Sequence, residues 1–409
     1  MNIVLINHYA GSTRHGMEFR PYYLAREWVR AGHRVQVLSA SFSHVRTHQP
    51  DLGDRSALDE TIDGIDYRWY RTPAYQGNGI GRVVNMLSFL HAVRRDARRI
   101  AREVQPDVVI ASSTYPMDIK PARKIAKLSG AKLVYEVHDL WPLSPMELGG
   151  MSKWHPFILW VQQAEDCAYR HADVVISMLP KTRDYMESRG LNGSKWKYVP
   201  NGVDEEEWRI PAPLPGEAFS ELQRIRAKGV PVVGYTGTHG LANSLDSLLD
   251  AAREMQAEAE VVMVGTGPER ERLLRRIRAE CVANITMLPP VPKASIPALL
   301  EEVDIAFIGL QRQKVFQFGI SPNKLLDYMM ARKVVVMAIE SGNDPVTESC
   351  CGRTVPPEDP DAIRRAIRDL SGMTAEDRAA MGTRGRAYVL ANHTYPVLAR
   401  RFIEALDHA

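Results

Sequence analysis

Residues Gly319-Ile-Ser-Pro-Asn-Lys-Leu-Leu-Asp-Tyr-Met-Met330 decide how the chain is read. One apolar run, Asp304-Ile-Ala-Phe-Ile-Gly309, precedes them, and another, Val334-Val-Val-Met-Ala338, follows. That order reads as strand, loop, helix, strand. Pro322 suits the first helical turn and Ser321 its N-cap. The helix start then presents free N–H groups and the positive end of the helix dipole, and Lys324 adds a full charge beside it. Ser321, Pro322, Asn323 and Lys324 therefore form a candidate anion site. Asp327, one turn further on, is placed to accept hydrogen bonds from a sugar diol. An ordinary amphipathic helix capped by Ser has the same local pattern.

The stretch resembles the nucleotide-sugar-binding motif of retaining glycosyltransferases of family GT4. That motif is a Glu, seven residues and a second Glu, with a Pro three positions after the first. Pro322 keeps the Pro and Asp327 takes the second acidic place. Gly319 stands where the first Glu would be. In the family that Glu touches the donor sugar, so its contacts are not carried over, and the amides of Gly319, Ile320 and Ser321 are expected to meet the sugar instead. The form Pro-Asn-Lys-Leu-Leu-Asp-Tyr-Met resembles a bacterial branch that makes surface polysaccharides. The resemblance covers nearly the whole chain. It implies an α/β chain of the GT-B kind, with two Rossmann-like doubly wound parallel-sheet domains facing a cleft and a C-terminal helix crossing back to the first.

Length and composition agree with two domains. The chain has 409 residues, 45% of them hydrophobic, enough for two large cores. A net charge of +3 is too slight to argue for nucleic acid as a partner. The four cysteines form no CxxC and read as reduced thiols. The N-terminus reads as a first strand rather than a signal peptide, and no apolar run approaches the roughly 20 residues of a membrane span. A cytoplasmic enzyme is expected. There is no His/Cys pattern and no Asp-x-Asp, so neither a metal nor a cofactor is expected beyond the donor substrate.

Strand-like runs alternate with helical patterns through both halves, as parallel sheets require. Residues 1–204 are expected to form an acceptor-binding domain, 205–228 a linker, 229–391 a nucleotide-sugar domain and 392–409 the crossing helix. After the first strand comes Gly11-Ser-Thr-Arg-His-Gly16, in the place where doubly wound sheets hold ligands. This loop, with Gly16, is similar to the family's glycine-rich first loop. Residues 83–104 read as a helix whose apolar face carries Leu87, Leu90, Val93, Ala97, Ile100 and Val104. Its other surface carries Arg94, Arg95, Arg98, Arg99 and Arg102, a solvated face that an anionic leaflet would also attract. The apolar stretch from Met151 to Trp160, with Trp154 and Phe157, suits core packing or a membrane interface.

The buried strand 132–137 ends in His138-Asp-Leu-Trp-Pro142, where chemistry is expected in such sheets. By resemblance, His138 with Asp139 marks the active site, and the string is similar to that of transferases for amino-deoxy sugars in O-antigen and capsule assembly. In the second half, relatives carry an Arg and a Lys for the diphosphate where this chain has Thr238 and Asn243. Lys324 is the candidate replacement cation. Gly265 opens a tight turn, and the loop at Pro290 is the one that cups the base in relatives. The implied reaction is metal-independent transfer of an N-acetylated amino or deoxyamino sugar from a UDP-linked donor. The acceptor would be a glycan or a polyprenyl-diphosphate-linked sugar, with peripheral contact to an anionic membrane. A nicotinamide dehydrogenase is disfavoured because no Gly-x-Gly-x-x-Gly with its acidic partner is clear. A non-catalytic nucleotide-sugar binder and a nucleotide-sugar epimerase of the same fold remain open.

Overall fold

A computed structural model describes residues 1–77 and 79–407 of the chain. The elements run in order β1 (Asn2–Ile6), α1 (Arg20–Arg30), β2 (Arg34–Ala40), β3 (Ala57–Ile62), β4 (Ile65–Tyr70), α2 (Ile80–Glu103), β5 (Val108–Ala111), α3 (Ile119–Ser129), β6 (Lys132–Val137), α4 (Leu143–Glu147), α5 (Pro156–His171), β7 (Val174–Ser177), α6 (Arg183–Ser188) and β8 (Trp196–Tyr198). They continue with α7 (Gly216–Arg226), β9 (Val232–Thr236), α8 (Leu245–Arg253), β10 (Glu260–Val264), α9 (Arg270–Ala279), β11 (Ile285–Leu288), α10 (Ile296–Glu301), β12 (Ile305–Gly309), α11 (Asn323–Met330), β13 (Val334–Ala338), α12 (Pro345–Glu348), β14 (Gly352–Val355), α13 (Pro360–Ser371), α14 (Ala375–Asn392) and α15 (Tyr395–Asp407). Two compact units result: Met1–Asn201 together with Tyr395–Ala409, and Gly202–Thr394. His408 and Ala409, the end of the expected crossing helix, lie outside the described residues.

The first unit holds a sheet of order β3-β4-β2-β1-β5-β6-β7-β8, parallel except for β3, which pairs antiparallel with β4. The strands β5, β6 and β7 are buried on both faces, which is why they read as continuous apolar runs. Helices α2, α3 and α5 lie side by side on one face. In this right-handed winding their N-termini share the edge where the strands end. On the other face α1 packs against α15: the Trp28 and Phe402 rings lie 5.0 Å apart, and Trp28 Nε1 donates to the Ala399 carbonyl at 3.2 Å. Helix α15 thus belongs to the first unit although the chain reaches it from the second.

The second unit holds an all-parallel sheet of order β11-β10-β9-β12-β13-β14. Its faces are covered by separate apolar clusters, one including Leu248, Leu249 and Ile367, the other Leu325, Met329 and Val389. Both units are therefore doubly wound α/β layers, the GT-B class.

Three expectations need correction. Residues 205–228 are not a loose connection. They contain α7, whose Ala218, Leu222 and Ile225 pack with Val232 and Val262 in the second unit's core. Leu87 is 48% exposed, and the buried face of α2 is instead Met86, Phe89, Leu90, Val93, Ala97 and Ile100. Helix α11 begins at Asn323, with Pro322 as N-cap at ψ 125° and no side chain capping it, so Ser321 is not the cap.

If α15 is part of the first core, Phe402→Ala should destabilise that unit by roughly 3–5 kcal/mol, as large-to-small changes of buried aromatics do. Limited proteolysis should then cut near residue 395 much faster than in wild type, with the second unit still protected.

Candidate functional site

In the first unit the site grows from one strand residue. Glu136 sits on β6 with no exposed surface, a carboxylate inside an apolar run. Such a charge is tolerated only when paired and hydrogen-bonded. Arg20, in the first turn of α1, donates to Glu136 Oε1 from Nε at 3.0 Å and from Nη2 at 2.8 Å. Its remaining donors reach the carbonyls of Val199, at 2.9 Å, and Pro200. The Ser112 hydroxyl, just beyond β5, donates to Glu136 Oε2 at 2.5 Å.

His138 follows β6 and lies between two carboxylates. Its Nε2 is 3.2 Å from Glu136 Oε2 and 3.0 Å from Ser112 Oγ. Its Nδ1 is 3.3 Å from Glu18 Oε1. Burial by itself would lower the imidazole, but Glu136 and Glu18 outweigh it and raise it to about 9. Burial would raise Glu136, yet Arg20, His138 and Ser112 hold it far below the usual carboxylate range. At neutral pH the charges alternate, Arg20 positive, Glu136 negative, His138 positive, Glu18 negative. His138 is then a donor at both nitrogens, not a base.

Asp139 does not join this row. Its Oδ1 accepts from the Leu140 amide at 2.8 Å and the Ser144 hydroxyl at 2.6 Å, so it shapes the loop after β6. The Gly11–Gly16 loop is a closed turn rather than a flexible one. The Gly16 amide donates to the Ser12 carbonyl at 2.8 Å, and the Ser12 amide to the Gly16 carbonyl at 3.0 Å. Gly16 has φ +86°, and a Cβ there would lie 2.7 Å from Thr47 Oγ1.

In the second unit the site surrounds Lys324. Its half-buried ammonium donates to Tyr235 Oη and to Asn243 Oδ1, both at 2.9 Å, and lies 4.4 Å from the centre of the Tyr235 ring. Asn243 is held in turn, its Nδ2 donating to the Thr238 carbonyl at 3.0 Å. The same carbonyl accepts from Tyr235 Oη at 2.7 Å. Among the described residues no carboxylate pairs with Lys324, and burial lowers it to about 8. Thr238, Asn243 and Lys324, expected separately, are thus one constellation.

Gly237 and Gly265 let two loops meet there. Gly237 has φ +128° and a Cβ would lie 3.2 Å from Lys324 Nζ, while a Cβ on Gly265 would fall 2.0 Å from the Gly237 carbonyl oxygen. Gly265 is explained by this close approach. Pro290 lies exposed on the loop after β11, away from any described bond to Lys324.

The opening stretch is partly occupied by its own fold. The Gly319 amide donates to the Phe316 carbonyl at 2.9 Å, and the Ile320 amide to Asn343 Oδ1 at 2.7 Å. These two amides are therefore not free for a sugar, which corrects the expectation drawn from sequence. Gly319 has φ +105°, a conformation that a Glu in the same place would strain. Asn323 is exposed at the helix start, and Ser321 and Pro322 are half-buried beside it. Asp327 is half-buried, no hydrogen bond to its carboxylate is found among the described residues, and burial pushes it up to about 7.

Sequence reasoning missed Glu18, Arg20, Ser112 and Glu136 in the first site and Tyr235 and His239 in the second. The lone acid within the apolar strand 132–137 was the available signal for Glu136. His239 is wholly buried, neither ring nitrogen has a hydrogen-bond partner among the described residues, and burial lowers it to about 4. Nothing in the local sequence marks it.

Residues 14–207 match the family model described as Glycosyltransferase Family 4, and residues 230–372 the model described as Glycosyl transferases group 1. No curated protein matches the chain. Among solved structures, sucrose-phosphate synthase from Thermosynechococcus elongatus is similar at 16% identity and TM-score 0.73, covering 99% of this chain and 98% of that one. Anabaena HepE in complex with UDP and glucose is similar at 16% identity and TM-score 0.68, with 100% and 99% covered. An E. coli trehalose-6-phosphate structure bound with UDP-2-fluoro glucose is similar at 11% identity and TM-score 0.71, with 100% and 99% covered.

The raised carboxyl of Asp327 has a sign that can be tested. Between its ordinary value of 3.8 and about 7 the native chain keeps the proton that the unfolded chain has lost. Stability therefore falls as pH rises through that window. Asp327→Asn should leave Tm near wild type at pH 4 and raise it by a few degrees at pH 8, read by calorimetry. A lower Tm for the variant at both pH values would mean that the carboxylate is stabilised by a partner.

Proposed function

Taking the chain as the GT4-like glycosyltransferase that its two family regions make it, we propose that it transfers an amino or deoxyamino sugar from a UDP-linked donor, with retention, to a glycan or polyprenyl-diphosphate-linked acceptor of bacterial surface polysaccharide assembly. The observation that carries the donor half of this reading is Lys324. It is a half-buried cation at the start of α11, framed by neutral groups and with no acidic partner among the described residues. Such a site suits a diphosphate, whose charge grows as it leaves, and it suits it without a divalent ion. UDP as the nucleotide is supported by the likeness to HepE in complex with UDP and glucose. Asp327 would hold the ribose, and His138, its ring nitrogens held by Glu136, Ser112 and Glu18, would serve the reaction through those partners. A non-catalytic binder would share the Lys324 constellation but has no use for a charged imidazole between two carboxylates.

A lipid-linked acceptor is supported by the surface of the first unit. No described helix is long and apolar enough to cross a membrane. Along α2 the outward stripe begins with Ile80, Val84 and Leu87, which are 83%, 46% and 48% exposed. It continues with Arg94, Arg95 and Arg98, exposed and with no ion pair among the described residues. Arg99 is excluded from this stripe, since it pairs with Asp96 and Glu103 at 2.8 Å each. The neighbouring α3 adds Lys120, Arg123, Lys124 and Lys127 and carries no acid. Trp154 is 72% exposed just ahead of α5. Cations near an anionic leaflet contribute about 1 kcal/mol each.

Two measurements test these halves. Lys324→Met should weaken UDP binding at pH 7 by roughly 10-fold or more, a charge-assisted hydrogen bond being worth about 1.5–3 kcal/mol. In wild type, affinity should fall as pH rises through about 8, and the variant should lose that dependence in titration calorimetry. UDP release from a panel of UDP-sugars, unchanged by a chelator, is expected of the transferase; binding without release would favour a sensor, and interconversion of the sugars an epimerase.

Wild type should also sediment with vesicles containing phosphatidylglycerol and be released by high salt. Charge reversal at Arg94, Arg95 and Arg98 together should abolish sedimentation and leave UDP affinity unchanged. Equal sedimentation of the triple variant would remove α2 from the contact.

A further inference from the structure

The row Arg20–Glu136–His138–Glu18 has one open end. Arg20 is 3% exposed, and Nε, Nη1 and Nη2 all donate to Glu136 Oε1 or to the Val199 and Pro200 carbonyls. Glu136 is fully enclosed, its Oε1 held by Arg20 and its Oε2 by Ser112 and His138. His138 has a side-chain exposure of 6%, and both ring nitrogens are engaged. Glu18 alone reaches solvent, with 30% of its side chain exposed and only Oε1 facing His138.

The backbone on either side keeps it there. The Glu18 amide donates to the Tyr9 carbonyl at 3.3 Å, and its carbonyl accepts from the Gly11 amide at 2.8 Å. Glu18 thus stands between β1 and α1, at the edge where ligands meet doubly wound sheets. An ionised carboxylate only accepts hydrogen bonds. Its natural ligand carries a hydrogen-bond donor, which in a glycosyl transfer is the acceptor hydroxyl, and a diphosphate would be repelled.

We propose that Glu18 binds the nucleophilic hydroxyl of the acceptor and takes its proton, and that His138, fixed by Glu136 and Arg20, is the positioning residue that holds the Glu18 carboxylate. This rests on the glycosyl-transfer reading. In the step, the acceptor oxygen bonds to the anomeric carbon on the same face that the diphosphate oxygen leaves, so that configuration is retained, as the bond from that carbon to the diphosphate oxygen breaks. The electron pair goes to the diphosphate, and the hydroxyl proton goes to Glu18 and later to solvent. The row explains why the base is the carboxylate and not the histidine. The imidazole already holds both protons, and the groups around it are Glu136 on β6, Glu18 before α1, Ser112 after β5, Arg20 behind Glu136 and Asp118 on the turn before α3.

The experiment uses the full-length protein, UDP-N-acetylglucosamine and UDP-glucose as donors, and water as the simplest hydroxyl acceptor. Glu18→Gln should lower UDP release at saturating donor about 100-fold, the low end of what proton transfer contributes, with donor KM and UDP affinity near wild type. Glu18→Asp should recover part of the rate. A nitrogen-15 titration of His138 gives an independent readout. Its midpoint should lie near 9 in wild type, fall in Glu18→Gln and fall in Glu136→Gln. A Glu18→Gln variant with wild-type turnover, or a His138 midpoint unmoved by it, overturns the assignment of Glu18 and leaves the transferase standing. A wild type that binds UDP yet releases none from any UDP-sugar overturns the transferase reading and this proposal with it.

Discussion

A carboxylate in the middle of a buried parallel strand has to be neutralised where it stands, and the pairing of Glu136 with Arg20 organises the first unit. The pair ties the first turn of α1 to the centre of the sheet. Through the Val199 and Pro200 carbonyls it also ties in the segment that follows β8. Removing one partner of such a pair costs far more than the pair contributes, because an unmatched charge is left in the interior. The arrangement is therefore a poor source of stability and a strong source of specificity. It sets which nitrogen of His138 faces inward, and thereby which faces the exposed carboxylate of Glu18.

Backbone geometry does the equivalent work in the second unit. Gly237 and Gly265 allow two loops to touch at a distance no side chain would permit, and Lys324 lies against the first of them. Gly319 turns the chain at φ +105° before α11, with the Ile320 amide and carbonyl both engaged by Asn343. A glutamate in that place would be strained at this φ, whereas Lys324, further on in α11, is held by Tyr235 and Asn243.

Much of the fold was legible because parallel strands buried on both faces announce themselves as apolar runs. Strands β6, β12 and β13 fall within the apolar runs read from sequence, and the chain opens on the expected first strand, β1. The edge strands β3 and β14 were not legible: β3 holds Asp59, Glu60 and Thr61 in a row, and β14 is a short Gly-Arg-Thr-Val segment. Acidic and proline-rich residues made 205–228 look like a linker, whereas Leu222 and Ile225 on α7 pack into the core. At the site, His138, Lys324 and Asp327 could be named from local pattern. Glu18 and Arg20 could not, since their meaning lies in contacts more than one hundred residues away along the chain. Only tertiary structure reveals that a loop acid and a helix arginine serve one histidine.

The two sites differ in charge balance, and the proposed function draws on that difference. In the first unit each positive group has a negative neighbour, so the row Arg20, Glu136, His138, Glu18 sums to zero and ends in a carboxylate. A polyanion finds no uncompensated cation there. In the second unit Lys324 is surrounded by Tyr235, Asn243 and Gly237, none of them charged, and among the described residues no acid answers it. Burial without a counter-charge drives its pKa down to about 8, which means that the charged form is held at a cost. An arriving anion removes that cost, raises the lysine's affinity for its proton and is bound the more tightly for it, by linkage. Under the proposed function, the strained member of the pair of sites is the one that a diphosphate would relax, and the neutral row is left to a ligand that brings a hydroxyl.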